Sequence, residues 1–86
     1  LQALHVNTTA TQNTAVGYQA GYTTTTEGKN TYIGYQAGYN NLGDQNTFVG
    51  RYAGGAITNG DKNTIIGKFN GNENGLDIRT SDNQET

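Results

Sequence analysis

The dipeptide Asn-Thr recurs along this chain at a nearly constant spacing, and that repeat constrains the fold more than any other feature. It stands at 13–14, 30–31, 46–47 and 63–64, so successive copies are 17, 16 and 17 residues apart. A period of 16–17 residues is too short for helical-pair repeats of about 33–47 residues or for propeller blades. It is typical of one turn of a β-solenoid.

Residue types within each repeat favour strands over helices. β-branched and aromatic residues follow the Asn-Thr pairs, whereas Gly, with 13 of 86 residues, and Asn recur too often for an amphipathic helix. Glycine-rich stretches fit corners, because glycine takes a positive φ without steric cost. We therefore predict an all-β fold, a parallel β-solenoid (β-roll or β-helix) that is free of helix from about Asn13 to Gly67.

The repeat also divides the chain. Residues 1–75 are predicted to form the solenoid segment, and 76–86 an exit segment toward a following C-terminal region. The opening residues align with the second part of the next repeat, so we expect the chain to start inside a turn of a longer protein. The predicted turns are a partial turn at 1–12 and turns at 13–29, 30–45, 46–62 and 63–75.

Stacking turns about 4.8 Å apart aligns equivalent residues into columns. Neighbouring strand residues point to opposite faces, and two neighbouring positions are apolar in nearly every turn. One chain has an interior for only one apolar column, so the other is predicted to meet another chain; an exposed apolar patch is the alternative. The two columns are Ala15, Tyr32, Phe48 and Ile65, and Val16, Ile33, Val49 and Ile66.

Two further positions repeat in every turn. The asparagines are predicted to stack as a ladder, each side chain bonding its equivalents or the backbone at the turn. The glycine that follows each strand fits a bend or a close approach of two backbones. The ladder is Asn13, Asn30, Asn46 and Asn63, and the glycines are Gly17, Gly34, Gly50 and Gly67.

The composition indicates that one chain alone buries little apolar surface. Leu, Ile, Val and Phe together number 14 of 86 residues, and hydrophobic residues are 31%, against roughly 45–50% in a typical domain. The net charge is only −2, so charge repulsion does not organise the chain. Three-fold closure suits a rod with a repeating axis, and we predict a homotrimer.

Several kinds of chemistry are excluded or disfavoured. The absence of Cys rules out disulfides and thiolate metal sites, and apolar runs of two or three residues predict no membrane insertion. Five scattered Lys and Arg residues predict no nucleic-acid binding. The sole histidine, His5, is interpreted as a turn residue. No group of residues is better explained as a set of ligands than as ordinary turn residues, so we predict no cofactor, no metal and no enzymatic activity.

Four functional alternatives compete with a purely structural interpretation of these residues. Asp44 and Asp61 occupy equivalent corners, so their carboxylates would stack and could serve as a pair for glycoside hydrolysis or as calcium ligands. Asp is also favoured in such turns for its own hydrogen bonding to the backbone. The run Thr23–Thr26 suggests ice binding, but the other turns lack matching threonines. The tyrosines suit either packing at a solenoid edge or a carbohydrate-binding patch, and packing is favoured. These tyrosines are Tyr18, Tyr22, Tyr35, Tyr39 and Tyr52.

The four motifs NTAVGYQAG, NTYIGYQAG, NTFVGRYAG and NTIIGKFNG resemble repeats of bacteriophage tail fibres and of fibre proteins of contractile injection particles. They are also similar to the shorter SVAIG-type head repeats of trimeric autotransporter adhesins. GLDIRTSDNQ resembles the segment by which such fibre repeats pass into a C-terminal region, often an intramolecular chaperone. The resemblance implies a trimer of parallel β-rolls, with one apolar column inside each roll and one on the three-fold axis. The longer period leaves two or three strands per turn open.

The function implied by the resemblance is that of a structural shaft or head segment of a trimeric phage-type tail fibre involved in host-surface attachment. Its location would be a virion tail fibre or an extracellular surface. Its partners would be copies of itself and a host-surface glycan or protein receptor. The alternatives are a trimeric autotransporter adhesin head and a fragment of a polysaccharide-degrading tailspike.

Overall fold

A computed structural model describes residues 12–24, 28–73 and 75–82, and over these residues the chain is all-β with no helix. The prediction of a helix-free, β-rich fold is confirmed for this part of the chain. The strands are β1 (Thr14–Val16), β2 (Thr31–Ile33), β3 (Thr47–Val49), β4 (Thr64–Ile66), β5 (Asn72–Glu73) and β6 (Leu76–Asp77).

Strands β1 to β4 form one parallel sheet whose strand order equals the chain order. Thr14 lies opposite Thr31, and Thr31 lies opposite Thr47. The same one-turn register joins Thr47 to Thr64. Because every neighbour is parallel, the chain must return to the start of the sheet after each strand, one level further along. The four strands therefore form a solenoid-like stack.

Between strands the chain returns through a run of linked β-turns. After β2, the N–H groups of Ala37, Tyr39 and Asn41 each donate to the carbonyl three residues earlier, at 3.0–3.3 Å. The N–H groups of Gly38 and Asn40 donate instead to carbonyls of the next turn, at 2.8 and 3.3 Å. Bonds within a turn thus alternate with bonds between turns. In the described residues each turn from β1 to β4 has a single three-residue strand, where the sequence left two or three open.

The interior lies between the sheet and this run of turns, and it is narrow. A Cβ on Gly54 would lie 2.6 Å from ring carbons of Phe48, and one on Gly38 would overlap the Tyr32 ring. Both glycines have a φ near +60°, so they leave room for the inner rings and also make the bend. The fully or almost fully buried apolar residues are Ala20, Tyr32, Ala37, Phe48, Ala53, Ile57, Ile65 and Ile78.

The glycines that follow the first three strands each lie in close backbone contact with the equivalent glycine of the next turn. Gly34 has a φ of +132°, and a Cβ there would lie 2.5 Å from the carbonyl oxygen of Gly50. Gly67 has a similar φ of +124°, but it closes the last repeat and a Cβ there would meet nothing within 4 Å. Spacing between the turns therefore depends on glycine at this position.

The exit segment predicted at 76–86 leaves the sequence repeat, but part of its backbone continues the stack. The Thr58 N–H donates to the Arg79 carbonyl at 2.9 Å, and the Asp61 N–H donates to Oδ1 of Asp82 at 2.7 Å. The antiparallel pair β5–β6 lies before these residues as an insertion. Residues 78–82 therefore lie one level beyond residues 57–61.

Two glycine substitutions separate backbone contact from backbone strain. Gly67→Ala should destabilise the fold by about 1–3 kcal/mol, the cost of an unfavourable φ. Gly34→Ala carries that cost and an overlap with Gly50, which should add about 1–3 kcal/mol. Urea unfolding followed by circular dichroism measures both variants. Equal losses of stability would contradict the close packing of the turns.

Candidate functional site

The outer face of the four-stranded sheet carries an aligned apolar column, which we call the outer stripe. Val16, Ile33 and Ile66 are 59%, 40% and 69% exposed, and Val49 between them is half-buried. Pairing places Val16 opposite Ile33 and Val49 opposite Ile66, so the four side chains form one continuous line across the strands. The second predicted column therefore lies on the surface of a single chain.

The first predicted column points inward. Tyr32, Phe48 and Ile65 are fully buried, and Ala15 is half-buried against them. The rings of Tyr32 and Phe48 are 6.0 Å apart between centroids. The hydroxyl of Tyr32 crosses the interior and lies 2.6 Å from Nδ2 of Asn41, which donates to it. One strand thus separates an enclosed column from an exposed one, as the alternation of strand side chains requires.

The four ladder asparagines are brought together, and their side chains bond to backbone groups of the next turn. Oδ1 of Asn13 accepts from the Asn30 N–H at 3.0 Å, and Oδ1 of Asn30 accepts from the Asn46 N–H at 2.9 Å. Oδ1 of Asn46 accepts from the Asn63 N–H at 2.9 Å. Nδ2 of Asn46 also donates to the Gly60 carbonyl at 2.8 Å. Each asparagine side chain therefore hydrogen-bonds to the corner of the next turn.

Aspartates form a second line of bonds that runs in the opposite direction. Oδ1 of Asp44 accepts from the Gly28 N–H at 3.2 Å, and Oδ1 of Asp61 accepts from the Asp44 N–H at 2.8 Å. Each carboxylate thus bonds to the equivalent backbone group one turn earlier. These bonds join successive turns of the stack, unlike the local bond of an Asp turn, and they supply a structural role for both residues.

The Asp77 carboxylate forms an ion pair with Arg79, whose Nη2 lies 2.9 Å from Oδ2. The hydrogen bonds from Arg79 lower the pKa of Asp77 to about 2. A general acid needs the opposite shift. This carboxylate is therefore unsuited to donate a proton at neutral pH.

The tyrosines at the corners form stacks along the coil. Tyr22 and Tyr39 are parallel within 2°, with centroids 4.8 Å apart. Tyr18 and Tyr35 stack at 5.5 Å, and Tyr52 meets Tyr35 edge-on at 5.5 Å. These contacts use aromatic faces for packing between turns, while the exposed parts of the rings remain on the surface.

Two buried polar residues were missed by the sequence analysis. Thr24 and Asn41 are fully buried on the wall opposite the sheet, and Oγ1 of Thr24 lies 3.0 Å from the Tyr32 hydroxyl. The equivalent position in the next turns is apolar, with Ile57 and then Ile78. The sequence signal is weak because the variable loop, and not the nine-residue motif, supplies this column.

Some predicted residues lie outside the part of the chain that the structure describes. These are His5 and all but the last residue of the partial turn 1–12. The run Thr23–Thr26 is described only for its first two residues.

Comparison of the chain with protein families, with curated proteins and with solved structures gives no match. Over the described ranges no group of three or more His, Cys, Asp or Glu side chains is arranged to hold a metal ion. Nothing in those ranges forms a helix with the length and hydrophobicity of a membrane span. The described part of the chain therefore offers three candidate functional features: the outer stripe, the asparagine ladder and the tyrosine-bearing corners.

Removal of one ladder side chain should be costly. Asn46→Ala leaves the buried N–H of Asn63 and the carbonyl of Gly60 without this partner, and at about 1–3 kcal/mol each the loss should be about 2–6 kcal/mol. Asp61→Asn is the control, because an amide keeps the oxygen that accepts from Asp44; its effect should be within about 0.5 kcal/mol. Chemical denaturation of both variants measures the difference. A loss of stability in Asn46→Ala no larger than that in Asp61→Asn would contradict the stabilising role of the ladder.

Proposed function

We propose that this chain is a structural segment of a homotrimeric fibre of the phage tail-fibre type, which takes part in attachment to a host surface. The observation that carries the proposal is the outer stripe, because it leaves an ordered apolar line uncovered on a single chain. The resemblance of the repeat motifs to tail-fibre repeats supports the biological setting. The proposed role is mechanical and adhesive, without catalysis.

The outer stripe has the character of an interface. Single exposed apolar residues are ordinary on protein surfaces, but a contiguous apolar line marks a place where another surface packs. Its members follow one another across paired strands, and the strands β1 to β4 contain no charged residue. Contact between the strand residues of this face therefore desolvates no charge.

Three copies suit the shape of the outer stripe. It is one residue wide and crosses the strands, so it follows the direction in which turns are stacked. Three chains with parallel stacking directions can bring three narrow stripes together on a common axis, which closes the assembly. Every added turn would then extend the fibre by about 4.8 Å and contribute one more apolar layer on the axis.

The remaining surface supports an adhesive role. The corners bear exposed tyrosines together with Asn and Gln, which combine aromatic area with hydrogen-bonding groups. These groups belong to the run of turns and not to the strands. A trimer closed through the strands would leave them facing outward along the length of the fibre.

The mass of the segment in solution tests the proposal. Sedimentation equilibrium at micromolar concentration should give three times the 9.2 kDa of one chain. Val49→Asp places a charge in the outer stripe and should reduce the mass to that of a monomer. Leu42→Asp, which changes an exposed leucine outside the strands, should leave the trimer intact.

Phe48→Asp gives the internal comparison, because it places a charge in the enclosed column and should abolish folding of the chain itself. A wild-type segment that is a stably folded monomer or dimer would overturn the trimer. So would a Val49→Asp variant that keeps three-fold mass.

A further inference from the structure

A groove of about 240 Å³ opens on the run of turns, at the place where the sequence repeat is broken. The first two complete repeats read GYQAGY after the strand, and the third reads GRYAGG. Tyr39 stacks on Tyr22 of the turn before, but the equivalent residue of the turn after is Gly55. The face of Tyr39 that points away from Tyr22 therefore borders the groove in place of a third ring.

Tyr52 forms a second aromatic wall, again because of the altered repeat. It occupies the position held by Gln36 one turn earlier. The Arg51 guanidinium lies 4.5 Å from the centre of the Tyr52 ring, and its Nη2 donates to the Tyr52 hydroxyl at 3.1 Å. These two contacts hold the ring in a fixed orientation beside the groove.

Three side-chain amides complete the lining, and each is anchored by one bond. Nε2 of Gln36 donates to Oε1 of Gln19 at 2.7 Å, and Nδ2 of Asn40 donates to the Gly55 carbonyl at 3.0 Å. Oδ1 of Asn70 accepts from the Asn72 N–H at 2.8 Å. A side-chain amide offers two donor hydrogens and an acceptor oxygen, so each anchored amide keeps capacity for a ligand.

We infer that this groove binds one neutral pyranose residue of a glycan, with the apolar face of the sugar ring on Tyr39 and its hydroxyls on the amides of Gln36, Asn40 and Asn70. Sugar hydroxyls both donate and accept, which matches amides. The inference rests on the proposed attachment role and names the ligand class for it. Convergence of an aromatic wall and a few oriented polar groups in a concavity is the usual form of a small-ligand site.

Size and charge restrict the ligand further. The volume lies below the roughly 300–1,000 Å³ of sites for drug-sized ligands, so the groove suits a single sugar unit of a longer chain. Among the described residues no charged side chain lines it, and the Glu73 carboxylate lies beside it, accepting from the Asn70 N–H at 2.8 Å. The Arg51 guanidinium lies against Tyr52, so the two charges near the groove are of opposite sign, and no described lining residue offers an anionic sugar an ion pair. A proline-rich peptide suits the amides less well, because its backbone offers chiefly acceptors.

Saturation-transfer NMR on the intact 86-residue chain tests the inference, with the methyl glycosides of glucose, galactose, mannose, N-acetylglucosamine and N-acetylgalactosamine as probes. At least one should bind with a dissociation constant on the order of 1–10 mM, as expected for a small ligand in an open site. In two-dimensional NMR spectra, the backbone amide chemical shifts that change on binding should be confined to the turns around Tyr39 and Tyr52.

Three variants locate the site. Tyr39→Ala should weaken binding by about fivefold or more, since stacking on an aromatic ring is worth about 1–3 kcal/mol. Tyr22→Ala is the matched control: it removes the same tyrosine pair but lies one turn below the groove, so affinity should change by less than about twofold. Ala56→Leu should fill the groove and abolish binding while both tyrosines remain.

Absence of binding by all five glycosides at tens of millimolar would overturn the inference. So would tighter binding of glucuronic acid or N-acetylneuraminic acid, binding of a proline-rich peptide alone, or unchanged binding in Ala56→Leu. All lining residues belong to one chain, so the outcome is separable from that for the trimer. A trimer that binds no sugar would contradict only the glycan site. A monomer that binds sugar would contradict only the trimer.

Discussion

The hydrogen bonds from the N–H groups of Asn30, Asn46 and Asn63 to the side-chain oxygen of the asparagine one turn earlier are the interactions on which the rest of the structure depends. Strands of three residues supply few ladder bonds, and the asparagines extend the pairing around the adjoining corner. Asn30, Asn46 and Asn63 are fully buried, so these bonds form away from water, where an unpaired group would be costly. Among the described residues no buried side-chain nitrogen or oxygen lacks a partner.

Alignment of the turns has two consequences for the surface. Where the repeat is kept, strands stay in register, and the inner and outer columns are continuous from β1 to β4. Where the repeat is broken, at Arg51, Tyr52 and Gly55, the backbone keeps its path and only the side chains change. The proposed trimer therefore uses the regular positions and the proposed glycan site the irregular ones, so that under these proposals a fibre could vary its contacts without altering its framework.

Most of the framework could be predicted from the sequence, because the Asn-Thr pair marks both the corner and the start of the strand in every turn. The presence of a single strand per turn could not be predicted. The return path is stabilised by alternating hydrogen bonds of linked turns, and these turns have no distinct residue pattern. Positive φ values at Lys29, Gln45 and Lys62 were also beyond prediction, because long side chains rarely take that conformation. The groove beside Tyr39 depends on Gly55 standing where the two preceding turns have a tyrosine, and the sequence alone does not show that this change leaves an open space beside Tyr39.

Amide hydrogen exchange, followed residue by residue by NMR, tests the asparagine ladder most directly. We expect the N–H groups of Asn46 and Asn63 to exchange as slowly as that of Gly50, which donates to a strand carbonyl at 2.7 Å, and all three to exchange only through global unfolding. Exchange of the Asn46 and Asn63 amides at the rate of the exposed corner residue Asn59 would contradict it.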